Sequence, residues 1–229
     1  MFRKFHQRIG VMLLACTFAL PTPARAGEPA PGFESMPKID VHVHLFADYP
    51  EFAAMLKRTN FRVVNICGGG SKPEMLAERW GTGKALSAAH PDVYYLCPTF
   101  DLTRRDEPGY GDAVNASLDQ AFSEGAVTVK IFKEVGLDLK RPDGAYLMPD
   151  DAVFDPIYAH MAEKKWPLIT HFAEPLAAWL PLDPENVHYS YYSKSPKWHF
   201  YNQTGIPAHQ DVIDARSRVL EKHPDLIMI

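Results

Sequence analysis

Apolar and polar residues alternate from Ile39 to Leu45. Ile39, Val41, Val43 and Leu45 fall on one face and Asp40, His42 and His44 on the other, the period of a half-buried strand. Pro50 opens a short helix whose apolar stripe is Phe52, Met55 and Leu56. A second strand is predicted from Phe61 to Ile66, broken by Gly68-Gly69-Gly70, then a helix from Pro73 towards His90 and a third strand from Val93 to Phe100. Asp112 is placed to cap a helix carrying Val114, Leu118, Ala121 and Phe122 at helical spacing, with Gly125 at its end. Val127 to Phe132 is a fourth strand. Asp155-Pro156 starts a helix to about Lys165, and Pro167 to Thr170 is a fifth strand. After a long loop from Phe172 to Pro207, a helix around Val212, Ala215, Val219 and Leu220 stops at Pro224. Leu226 to Ile229 begins a sixth strand.

Alternating strands and helices predict an α/β fold with a parallel sheet, either an open doubly wound sheet or a TIM-like (β/α)8 barrel. No Gly-x-Gly-x-x-Gly follows the first strand, which removes the main dinucleotide signature. Chemically capable side chains instead sit where strands end: His42 and His44, Lys130, and His171. Polar groups converging on the C-terminal ends of several strands favour the barrel. A complete barrel takes about 250 residues, whereas only about six βα units are legible here and the chain stops inside the sixth strand. The expectation is a C-terminally incomplete barrel over 37–229, because Leu226-Ile227-Met228-Ile229 would make a poor exposed edge. A Pro/Gly-rich linker, 27–36, precedes it. A smaller six-stranded domain with its edge strand last is the alternative.

Residues 1–26 read as an address. Arg3, Lys4 and Arg8 form a basic start, Ile9 to Leu20 is apolar, and Ala24-Arg25-Ala26 offers small residues for cleavage. The apolar part is short for a membrane span. Cleavage after Ala26 is favoured over an uncleaved anchor or a lipoprotein through Cys16, since the apolar run continues past Cys16. A periplasmic or secreted protein is expected, with no membrane span.

Composition narrows the class. Hydrophobic residues make up 46% and aromatics 12%, enough for a packed core and not a disordered chain. Arg3, Lys4, Arg8 and Arg25 lie in the leader, so 24 Lys and Arg less these four leave 20 against 28 Asp and Glu, a net charge of −8. Without a Lys/Arg block, that balance argues against nucleic acid as a partner. Cys67 and Cys97 are expected as two buried free thiols, and no CxxC or Cys/His finger spacing points to a structural zinc module.

His42 and His44, two apart on one strand, project to the same face about 7 Å apart along the backbone. Alone, such a pair reads equally as buried structural histidines. His171, at the end of the Pro167–Thr170 run, adds a third imidazole, giving three ligands and one open position for a catalytic metal. Lys130 should face inward while Val129 and Ile131 face helices; a salt bridge to an acid such as Glu134 is the competing reading. Glu174 could contact substrate or orient a ligand, or be an exposed loop carboxylate. The aromatic stretch Val187 to Tyr201 suits a substrate lid or a homodimer contact. Asp138 to Asp151 reads as a solvated cover, and His90, His160, His209 and His223 as surface residues.

Ile39-Asp40-Val41-His42-Val43-His44-Leu45-Phe46 resembles the opening strand of the amidohydrolase superfamily, in the amidohydrolase 2 branch that contains aminocarboxymuconate-semialdehyde decarboxylase. Val129-Lys130-Ile131, Ile169-Thr170-His171 and His223-Pro224-Asp225-Leu226 fit the fourth strand, the fifth strand and the entry to the sixth, so the likeness covers about 36 to 229. It implies a divalent metal, zinc first among candidates, held by His42, His44 and His171. The family's further histidine after strand six and aspartate after strand eight have no counterpart here. In binuclear members a lysine placed like Lys130 is carbamylated; mononuclear members manage without it. The resemblance implies a metal-dependent hydrolase in which activated water attacks an amide, ester or lactone carbonyl of a small molecule, with decarboxylation or hydration as alternatives. A non-catalytic periplasmic binding module, recognising ligand through the aromatic loop, is the reading from a different class.

Overall fold

The computed structural model describes residues 32–68 and 73–229. The leader 1–26, Cys16, the first part of the linker, and Gly69 and Gly70 lie outside the described residues.

Strands and helices alternate as the periodicity predicts: β1 (Lys38–Val43), α1 (Pro50–Arg58), β2 (Phe61–Cys67), α2 (Pro73–Ala89), β3 (Tyr94–Pro98), α3 (Tyr110–Ser123), β4 (Val129–Ile131), a one-turn α4 (Glu134–Leu137), α5 (Asp155–Lys164), β5 (Leu168–Thr170), a one-turn α6 (Tyr189–Tyr192) and α7 (His209–Lys222). β1, β2 and β3 pair in parallel in that order, and β4 pairs in parallel with β5. The two ladders join where the Val127 N–H donates to the Leu96 carbonyl at 2.9 Å and Thr99 Oγ1 donates to the Lys130 carbonyl at 2.8 Å. Beyond β5 the chain pairs again: the N–H groups of Leu168 and Thr170 donate to the Ile227 and Ile229 carbonyls at 2.8 and 2.9 Å. The result is an arc of parallel segments in sequence order, the pattern of a (β/α) barrel wall.

The arc has an apolar layer on each side. Its outer face packs on helices, with Val129, Ile131 and Leu168 against Val114, Leu118, Ile157, Met161 and Val212, and Val63 and Tyr94 against Ala53, Leu56 and Leu86. Its inner face gathers Val64, Ile66, Cys97 and Ile169, with Val41, Tyr95 and Phe132 beside them. Gly83 lets α2 lie close on β2: a Cβ there would stand 2.2 Å from the Cys67 sulfur. Cys67 and Cys97 are buried free thiols, as expected. Ile66, not Cys67, is the register partner of Cys97, so the two thiols point to opposite faces of the sheet.

The structure departs from the sequence pattern at several points. The alternation of β1 does not run through. Asp40 pairs with Val63 and Val43 with Asn65, so three steps on β1 match two on β2. This is a β-bulge, and it turns Val41 inward while Val43 and Leu45 join the outer group. Met55, assigned to the apolar stripe, is 39% exposed, and Ala53 is buried beside Leu56 instead. Gly109, with φ 77°, precedes α3 where Asp112 was expected to cap; Asp112 lies in the first turn. The segment 138–151 is not simply a solvated cover: Lys140 and Tyr146 form an antiparallel bridge and Leu147 is buried. His90, His160 and His223 are largely covered, each bonded to an aspartate: His90 to Asp48 in the loop before α1, His160 on α5 to Asp119 on α3, and His223 at the end of α7 to Asp155 at the start of α5. Among the described residues no helix is long and apolar enough to cross a membrane.

Candidate metal centre

The bulge sets the first part of the site. His42, within the bulge, and His44, just beyond it, lie with ring centroids 5.4 Å apart, and the backbone N–H of His42 donates to the Asp40 carboxylate at 2.9 Å. His171, directly after β5, brings its ring to 6.4 Å from that of His42. The three predicted histidines therefore converge from two strands that are far apart in sequence.

Lys130 sits between them in the arc. It pairs in register with Ile169 of the inner layer, so it faces inward as expected, and it is fully buried. Its Nζ has no hydrogen-bond partner among the described residues, and the alternative of a bridge to Glu134 is not formed. Burial pushes the Lys130 amine down to about 8, partly offset by Cys97. The Phe132 ring lies 5.6 Å from this Nζ and stacks on His44 at 6.2 Å. Gly68 makes room for that ring, since a Cβ there would meet Phe132 at 3.2 Å and Thr99 at 2.5 Å.

Glu174 corrects the reading of an exposed loop carboxylate. It is 5% exposed and pairs with Lys133, and its other oxygen accepts from the Tyr192 hydroxyl at 3.2 Å. Lys133 also donates to Tyr191 Oη at 3.2 Å and lies 4.0 Å from the centre of the Trp198 ring. The aromatic stretch is thus a fixed wall at the β4 and β5 mouths, anchored by buried Tyr192 and Phe200.

The sequence reading passed over Lys133, Arg79, Phe132 and Asn65. Arg79, on α2, donates from Nη1 to the Gly68 carbonyl at 2.7 Å and lies 4.5 Å from the centre of the Phe46 ring, itself 6.1 Å from His44. Beside His171, a cleft of about 360 Å³ is lined by Glu174, His209, Ile213 and Arg216. None of these basic residues belongs to a sequence motif; each is recognisable only once the strands are assembled.

Burial and neighbouring cations favour the neutral form of all three imidazoles. His42 is lowered by burial and by Lys130, against a smaller upward pull from Asp40. His44 is lowered by burial, His42, Lys130 and Arg79, against a backbone hydrogen bond at Ile66. Burial takes His171 down to about 4, helped by Lys130, Lys133 and His42 and opposed by Glu174. Neutral imidazole is the metal-binding form.

The donors are three imidazoles, a ligand type that suits a divalent metal, and one pair of them has the spacing for it. Two imidazoles on one tetrahedral zinc have ring centres roughly 5 Å apart, given Zn–N bonds of about 2 Å. The His42–His44 spacing of 5.4 Å matches, while His171 stands about 1 Å wider at 6.4 Å. As the side chains stand, no group of three or more His, Cys, Asp or Glu among the described residues is placed to hold a metal ion, and His171 would have to move in for all three imidazoles to ligate together. The unpartnered, buried Lys130 Nζ at the same place is the second sign that these side chains are arranged for something besides one another.

No family model and no curated protein matches the chain. Solved structures do. The 2,6-dihydroxybenzoate decarboxylase from Rhizobium aligns with a TM-score of 0.52 at 16% identity, covering 84% of this chain and 65% of that one. The same enzyme complexed with 2,6-dihydroxybenzoate aligns with a TM-score of 0.53 at 16% identity, with the same coverage. This chain therefore spans just under two thirds of the length of those structures. Over that span it shares the fold of these decarboxylase structures, and its own arc of parallel strands backed by helices agrees with the (β/α) barrel expected from the sequence.

Proposed function

We propose that this chain belongs to a metal-dependent enzyme of the amidohydrolase superfamily acting on a small molecule. The observation that carries the reading is the convergence of His42, His44 and His171 beside the buried, unpartnered Lys130. His42, His44 and His171 would hold the metal, zinc being the first candidate for an imidazole set. When bound, it would supply Lewis-acid polarisation of a carbonyl and a more acidic water. Hydrolysis of an amide, ester or lactone is the reaction first proposed.

The chain's own residues would act around that centre. Lys130, poised near neutrality, can accept a proton at Nζ or donate a hydrogen bond to developing negative charge. Glu174 fixes the Lys133 ammonium, and Trp198 and Tyr191 shield it from water.

Decarboxylation is the second reading, supported by charge. Arg79, Lys130 and Lys133 all depress histidines of the centre, and of these three cations only Lys133 pairs with a carboxylate among the described residues. A positive mouth in an acidic protein suits a carboxylate substrate. The leader 1–26 supports export. The exposed outer side of the aromatic wall, including Leu180, Val187 and Tyr201, supports a homodimer contact, which sedimentation would test.

The deciding experiment is metal analysis of the purified chain after dialysis against zinc. One bound metal, lost in His42→Ala and His171→Ala, supports the reading; metal that remains in both variants, or none in the parent, sinks it. Release of CO₂ from hydroxybenzoates, against acid release from esters and lactones, then separates the two reactions.

A further inference from the structure

We propose that Asn65 is a positioning residue for the histidine pair, holding the strand beyond the bulge in the register that brings His44 beside His42 and so setting the affinity of the centre for metal. The inference rests on the reading that these histidines bind metal.

Asn65 lies on β2 and is 1% exposed. It is the register partner of Val43, the last residue of β1 and the first to pair after the bulge. Beyond Val43 the backbone ladder between the two strands ends, yet the chain must still carry His44. There the Asn65 side chain takes over. Its Oδ1 accepts from the Leu45 N–H at 2.8 Å and its Nδ2 donates to the Leu45 carbonyl at 3.3 Å. A carboxamide offers one donor and one acceptor in the same plane, as a peptide group does, so it replaces a rung of the ladder. Leu45 meets no other hydrogen-bond partner among the described residues. Its two backbone groups are part-buried, and unpaired they would favour a shift of the strand towards water.

Such a shift falls on the centre directly. His44 lies between Val43, fixed by the ladder, and Leu45, fixed by Asn65, and its ring is 5.4 Å from His42 and stacked with Phe132. The bulge between Asp40 and Val43 adds a residue, next to His44, that an unbraced strand could redistribute by slipping. The buried carboxamide pins it.

The test compares Asn65→Leu and Asn65→Ser with Leu118→Ala, a core truncation between α3 and α5 that lowers stability without touching β1. Zinc affinity is read by competition with a chromophoric chelator. Asn65→Leu and Asn65→Ser should bind about tenfold more weakly or worse, while Leu118→Ala stays within twofold of the parent. Affinity within twofold for the Asn65 variants, or an equal loss in Leu118→Ala, overturns the proposal. Should Asn65→Leu not fold, Asn65→Ser decides. A second readout needs no metal: in the chelator-treated chain, the imidazole NMR signals of His42 and His44 should move in Asn65→Ser and those of His160 stay. A parent that takes up no zinc defeats the metal reading alone, and unmoved His42 and His44 signals defeat the positioning role.

Discussion

Lys130 is the register partner of Ile169, and its amine is buried in the inner layer of the arc with no hydrogen-bond partner among the described residues. A charged ammonium there is costly, so burial holds its pKa near 8 against 10.5 in the unfolded chain. Between those values the unfolded chain binds the extra proton, and stability therefore rises with pH across that window; below it the full penalty applies. Lys130→Met should stabilise the metal-free protein at pH 7 by up to about 3 kcal/mol and flatten the rise between pH 8 and 10. Urea titrations over that range read both effects.

The Lys133–Glu174 pair ties the mouths of β4 and β5 together. Glu174→Gln leaves the Lys133 charge without its counter-ion, and Lys133→Met leaves the carboxylate alone. Each should cost about 3 kcal/mol. The double variant should cost clearly less than the two summed, which a double-mutant cycle in urea measures. Additive losses would mean the pair contributes through separate contacts.

Gly83→Ala should destabilise the fold even though Ala is the better helix former by about 1 kcal/mol. The new methyl would meet the Cys67 sulfur at 2.2 Å. Cys67→Ala in the same chain should restore most of the loss. Thermal melts of the two variants and the pair check this.

Burial raises the Cys67 thiol to about 11 and that of Cys97 further still. Neither should react with a thiol reagent in the native protein at pH 8, and both should react in guanidinium, as peptide mapping would show. Because they face opposite sides of the sheet, mild oxidation should not join them to each other.

Burial would raise the Asp155 carboxyl, but its hydrogen bonds to Lys222 and His223 hold it below the usual 3.8. A depressed carboxylate stabilises above its unfolded pKa, and that contribution is lost as pH falls through its native value. Asp155→Asn should lower stability at pH 6 and weaken the acid dependence below pH 4, measured by denaturant unfolding against pH. An unchanged acid limb would remove Asp155 from the clamp between α5 and α7.

The strand order was legible because each apolar run has its own period, and His42, His44 and His171 could be picked out because imidazoles at strand ends stand out against apolar neighbours. The bulge was not legible. Val41 and Val43 are both valine, so the residues look alike on either side of the phase change, and only pairing with β2 reveals it. The burial of Glu174 escaped for a different reason: it depends on Lys133, 41 residues earlier, and on a tyrosine in a loop without regular spacing. Asn65 was hidden inside a run read only for its hydrophobicity.

The placement of Arg79, Lys130 and Lys133 around the histidines has a consequence for the order of assembly. At the proposed centre an incoming divalent cation would meet these cations, offset in part by Asp40 and Glu174, so its loading should be slowed at low ionic strength. An anion that settles at this mouth removes that opposition, and the metal in turn strengthens the hold on the anion. By linkage the two effects are equal in free energy. The centre would then behave less as a metal site that later accepts a substrate than as a cooperative receptor for a cation and an anion together.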